Sequence, residues 1–263
     1  MSLTSKEKKN TYKDLLIIEN SNSGFDTNLD SIKSGDGTDS SLSLSTNNVL
    51  IKPSADSTSL LNVQDSSAGN LLSVDSTNSY VKAGSSQNHV NTQYAHFGIT
   101  SSDTAWTGKT ENTHTAVPFG GISSKLSTVF TLGTGTDPAT SLTISTTADD
   151  MVSCLMYLTD NIVVDVVNFW VGSNGATGDV LRCHLMSYDI VTVSGATSGD
   201  LSSGTVIADG ADISSDGYEQ AYYQSMTIQS ASVSSGKGLF FTLRQDGTNS
   251  DYTTTATIKY HLV

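Results

Sequence analysis

Apolar residues are distributed along this chain in two different ways. Between Ser21 and about Asn91 they are sparse and set among Ser, Asn and Asp, as in Ser41-Leu42-Ser43-Leu44-Ser45 and Val49-Leu50-Ile51. Leu60-Leu61-Asn62-Val63 then returns as Leu71-Leu72-Ser73-Val74 after eleven residues, with the turn-like Ser66-Ser67-Ala68-Gly69-Asn70 between. Period-two spacing broken by Gly, Asn and Asp predicts short strands with narrow apolar faces. From Gln93 onward the apolar runs lengthen. They predict strands near 94–99, 114–119, 126–132, 142–145, 151–158, 162–171, 180–190, 218–228, 238–245 and 254–262, separated by Gly/Asp/Ser/Asn turns. Alternation places Leu181, Cys183 and Leu185 inward with Arg182 and His184 outward, and Trp170 is expected to pack inside its apolar strand.

The two textures predict an all-β chain in three parts: an N-terminal docking arm (1–20), a slender β stem (21–92) and an antiparallel, jelly-roll-like β-sandwich head (93–263). A single stem has too little apolar surface to order itself. Fixing roughly 70 residues costs about 1–2 kcal/mol each, whereas burying an aliphatic side chain returns about 1.5–3 kcal/mol. Leu42, Leu44, Val49, Ile51, Leu61, Val63, Leu72 and Val74 are therefore expected to form a core between chains, in a homotrimer whose stem closes only on assembly. An open hairpin array packed on the head is the alternative.

Ser and Thr supply roughly three residues in ten, while charged residues are 15%. With 36% hydrophobic residues and three prolines, this composition suits ordered strands with hydroxyl-rich outer faces better than disorder. The net charge of -13 argues against a nucleic-acid binder, which needs basic stripes that the body of the chain lacks, so nucleic acid is not an expected partner. Charge is nonetheless uneven. Lys6, Lys8, Lys9 and Lys13 precede Leu15, Leu16, Ile17 and Ile18, an arm with a short helix expected over 12–18 that would dock on an anionic protein surface; a solvated tail is the plainer reading.

No apolar run is long enough to span a bilayer as a helix, and the basic N-terminus lacks a following apolar segment, so no membrane partner and assembly in a host cytoplasm are expected. Cys154 and Cys183 are expected to be buried, reduced thiols, with one cross-sheet disulfide between them as the alternative. No lipase elbow, phosphate-binding loop, dinucleotide fingerprint or zinc-protease motif occurs. His89, His96, His114, His184 and His261 are scattered singly, without metal-ligand spacing. Asp36-Gly37-Thr38-Asp39 and Asp209-Gly210-Ala211-Asp212 read as turns before calcium loops. Neither catalysis, a metal nor a cofactor is expected. Trp106, Tyr218, Tyr222 and Tyr223 are the residues open to a recognition role, against the plainer reading that the tyrosines are core or interface.

Tyr12-Lys13-Asp14-Leu15-Leu16, Asn20-Ser21-Asn22-Ser23-Gly24, Gly35-Asp36-Gly37-Thr38 and Leu71-Leu72-Ser73-Val74-Asp75 resemble the stems of small trimeric virion proteins of tailed bacteriophages, and the head is similar to the jelly rolls of capsid decoration and short tail-fibre proteins. The resemblance implies a non-enzymatic decoration, cement or head-fibre protein on the virion surface. Its arm would seat on the major capsid protein or another virion component, reinforcing capsomer contacts. The leading alternative is a receptor-binding short tail fibre or spike that recognises a host glycan or surface protein. A polysaccharide-cleaving spike is disfavoured, because no acidic pair is framed by aromatic residues.

Overall fold

The computed structural model describes residues 16–18, 24–99, 111–120, 130–174, 177–247 and 252–263, which form an almost wholly β chain in two compact units, 1–90 and 91–263. In the first unit β1 (Ile17–Ile18), β2 (Asp30–Lys33), β3 (Asp39–Leu44) and β4 (Val49–Ile51) form one four-stranded meander. A second is built from β5 (Leu61–Gln64), β6 (Asn70–Asp75), β7 (Tyr80–Ala83) and β8 (Asn88–His89). Their turns follow from local chemistry. Asp36 Oδ1 accepts from the Thr38 amide and Asp65 Oδ1 from the Ser67 and Gly69 amides, while Asp75 accepts from the amide and side chain of Asn78. The eleven-residue echo is the hairpin β5–β6.

Each meander gathers cross-strand aliphatic pairs on one face, with Leu50, opposite Ser43, on the other. Leu42 lies opposite Ile51 and Leu44 opposite Val49; Leu61 pairs with Val74, which pairs with Val81, and Val63 pairs with Leu72, which pairs with Ala83. The eight residues expected in an interchain core thus fall into four cross-strand pairs. None is buried within the chain: Val49 is 68% and Val63 46% exposed. Among the described residues of this unit only Ile32, Gly35 and Asp75 are buried.

Ile17 and Ile18, expected in a helix without a partner of their own, instead pair as a strand with Lys33 and Ile32, while Leu16 stays exposed. The hydrogen-bonding edge of Ile32–Lys33 supplies the partner that the local sequence lacks. Lys6, Lys8, Lys9, Lys13 and Leu15 lie outside the described residues.

The second unit is an antiparallel sandwich. Its strands are β9 (Thr92–Gly98), β10 (Thr113–Val117), β11 (Thr131–Thr134), β12 (Met156–Tyr157), β13 (Ile162–Asn174), β14 (Thr177–Ile190), β15 (Leu201–Asp209), β16 (Ile213–Asp216), β17 (Glu219–Ser225), β18 (Thr227–Ile228), β19 (Ser232–Val233), β20 (Lys237–Gln245) and β21 (Tyr252–Leu262). An eight-stranded sheet runs β11-β10-β20-β14-β15-β18 with β12 beside β20 and β16 beside β14. A five-stranded sheet runs β17-β13-β21-β9 with β19 beside β13. Phe97, Val167, Phe169, Val171 and Ile258 of the smaller sheet meet Leu181, Cys183, Leu185, Phe241 and Leu243 of the larger in one core.

The larger sheet is covered on its other face as well. Ala116, Met186, Tyr188 and Phe240 point away from the main core into a second one, closed by Phe130, Leu132, Leu201 and helix α1 (Ala148–Cys154) through Met151 and Cys154. The expected strand over 151–158 is therefore wrong in its first half. Met151 and Cys154, three apart, share a helical face, and Asp149 and Asp150 sit favourably in the first turn. The expected strand at 142–145 reduces to one bridge, Leu142 to Leu201. Both cysteines are buried and unpaired, in different cores; burial pushes the Cys154 thiol up to about 12 and Cys183 also far up, so neither is a reactive thiolate.

Candidate functional site

Two groups of side chains in the second unit carry chemistry beyond packing. The first lies on the outer face of the eight-stranded sheet, where Arg182 and His184 alternate with the inward Leu181, Cys183 and Leu185 as expected. The covering layer changes the outcome: His184 has no exposed surface. Register sets Ala116, Thr242 and His184 side by side across β10, β20 and β14, and places Asp209, at the end of β15, directly opposite His184.

Around His184 gather groups far apart in sequence. Its Nε2 lies 3.1 Å from Asp209 Oδ1 and 3.3 Å from Asp137 Oδ1, yet neither ring nitrogen has a partner in hydrogen-bond geometry. Arg182 grips Asp209 with a fork, Nε donating to Oδ1 at 3.1 Å and Nη2 to Oδ2 at 2.6 Å, and reaches Asp212 at 3.5 Å. The His114 ring stands edge-on to His184 with centroids 4.9 Å apart. His114 Nε2 donates to the Gly135 carbonyl at 3.2 Å, which leaves Nδ1 as a buried acceptor without a partner. Thr242 Oγ1 and Arg244 Nε, on the same strand, are likewise buried and unpartnered.

Burial is the main reason these imidazoles are neutral at ordinary pH. It drives His114 down to about 4, with neighbouring His184 adding to the effect. His184 is lowered too, first by burial, with Arg182 acting in the same direction and Asp209 and Asp137 opposing. Spacing had offered no metal signature here, because the donors come from β14, β15 and the loop after β11. The Asp209–Asp212 stretch is more than a turn, since both carboxylates face Arg182. Asp36 and Asp216 do serve turns.

The second group is aromatic and exposed. Trp170, expected to be packed, is 50% exposed and lies against Tyr223, its direct cross-strand neighbour, with centroids 5.0 Å apart and planes inclined by 47°. Tyr218 is exposed at the Gly217 turn. Tyr222 turns back, packing partly on the main core while its hydroxyl donates to Asp216 and accepts from Gln220. Trp106 lies outside the described residues. The remaining histidines have local tasks: His96 contacts the Thr257 hydroxyl at 3.1 Å, His261 the Asp165 carboxylate at 3.0 Å, and His89 the ring of Tyr80. Among the described residues no helix is long and apolar enough to cross a membrane. Comparison with family models, curated proteins and solved structures finds no match to this chain.

Proposed function

We propose that this chain is a non-enzymatic, self-associating structural protein, a trimeric decoration or head-fibre protein of a phage virion with a jelly-roll head. The observation that carries self-association is the first unit: two meanders, each with its aliphatic pairs on one face, and hardly a buried residue between them. Half-exposed stripes of this kind gain most when copies of the same stripe meet around an axis. The virion setting rests on the resemblance of the stem and head sequences. On this reading the arm, with its four lysines, seats on the major capsid protein, and three arms binding together gain through effective concentration.

The full chain is expected to sediment at three times its 27.6 kDa mass. Leu72→Asp, which places a charge in the middle of the second stripe, is expected to dissociate it while the near-ultraviolet circular dichroism of the second unit is unchanged. A native chain that stays at single-chain mass at micromolar concentration overturns the proposal. Deleting residues 1–18 is expected to abolish attachment to particles lacking the protein; undiminished attachment would remove the arm's role.

The exposed Trp170–Tyr223 pair favours a second reading, a receptor-binding short fibre whose aromatic faces stack on host sugar rings. Electron cryo-microscopy of the particle separates the two. Decoration places many copies over the shell, and a fibre places few at the tail.

A further inference from the structure

The cluster around His184 is not among the residues assigned above to self-association or docking, and its geometry points to a ligand. We propose that His184 Nε2, Asp137 Oδ1 and Asp209 Oδ1 form a site for one transition-metal dication of the zinc class. Zinc binds imidazole nitrogen and carboxylate oxygen at about 2.0–2.2 Å, so a tetrahedral site holds neighbouring donor atoms roughly 3.3–3.5 Å apart. The two contacts of His184 Nε2 are 3.1 and 3.3 Å, and the three donor atoms all lie within 4.8 Å of one another. A preformed ligand set therefore needs only small adjustments.

The second, independent observation is the imidazole itself. It is fully enclosed, its Nδ1 has no hydrogen-bond partner, and its Nε2 sits between two carboxylate oxygens without hydrogen-bond geometry to either. A buried polar group without a partner is costly unless an ion or water engages it. Charge agrees with a cation: Asp137, Asp209 and Asp212 outnumber Arg182 and Arg244. Arg182 does not compete for the metal. Its fork on Asp209 plays the orienting part that outer partners play for a ligating carboxylate.

A nitrogen donor with two carboxylates and short spacing selects against calcium and magnesium, which take six or more oxygen ligands. Asp137, 56% exposed, gives the ion a way in and leaves the fourth position to water. The role that follows is structural. An ion here would tie the loop after β11, which helps close the second core, to β14 and β15.

The test uses the full-length chain stripped with EDTA and titrated by calorimetry with zinc sulfate, with calcium and magnesium chloride as comparisons. One zinc per chain is expected, with a raised melting temperature and no response to calcium or magnesium. Asp137→Asn, at an exposed position that should not disturb folding, is expected to weaken zinc binding by more than about tenfold. Cobalt is expected to give the visible absorption of a four-coordinate site in the native chain and to lose it in that variant. No heat and no melting shift at a large excess of zinc would overturn the proposal, as would equal binding by the native and Asp137→Asn chains.

Discussion

Truncating Phe241 to alanine is expected to destabilise the sandwich by about 3–5 kcal/mol, the range for removing a large aromatic side chain from a close-packed core. Phe241 has no exposed surface, and its ring packs between Phe97 and Phe169 of the facing sheet at centroid distances of 6.2 and 6.1 Å. It sits on β20, a strand paired on both sides, opposite Val117 and Leu185. Removing a ring packed from the facing sheet and flanked on both sides leaves a cavity whose cost adds to the lost burial. Urea unfolding followed by tryptophan fluorescence measures the change. A loss under about 1 kcal/mol would mean that the two sheets do not meet at this ring.

The second large effect is acid sensitivity of the metal-free chain. His114 titrates at about 4 in the fold and near 6.5 when unfolded, so between those values the unfolded chain binds more protons and stability rises with pH. The contribution is fully present above pH 6.5, declines as pH falls through that value, and is lost once pH reaches about 4. Allowing for screening from the half-exposed Asp137 side, the loss at pH 5 relative to pH 8 is on the order of 1–2 kcal/mol. His184 adds to it in the same direction. Chemical denaturation of EDTA-treated protein across pH 4.5–8 checks this. His114→Gln, which cannot ionise, is expected to flatten the profile, and an unchanged slope would assign the acid response to other groups.

Much of the fold was legible because its strands alternate. The pairing of Leu61–Val63 with Leu72–Val74 follows from an echo with a turn in the middle, and the inward set Leu181, Cys183 and Leu185 follows from period two. Trp170 shows where the period misleads. Counting by twos from Ile162 and Val164 puts Trp170 inside, but a register shift between Val164 and Val166 inserts one extra residue at Asp165. Val167, Phe169 and Val171 then face the core, and Trp170 faces out. Nothing in the residue types marks that bulge.

The region around α1 was illegible for a different reason. Met151 to Leu158 is a short apolar run that fits a strand or a buried helix equally well, and only the need to cover Met186, Tyr188 and Phe240 selects the helix. That cover also decides the chemistry of the candidate site. Alternation turns His184 away from the main core, but its enclosure, its neutral ring and its meeting with Asp137 depend on segments from β11 onward that lie far away in sequence. Single histidines carry no spacing signal for such a meeting.

Phe240 and Phe241, adjacent in the chain, anchor opposite cores on the two faces of one sheet. Strand β20 is thus a party wall whose loss would open both compartments at once. Heat or denaturant should accordingly take the whole second unit through one transition, with no half-molten state in which a single layer survives.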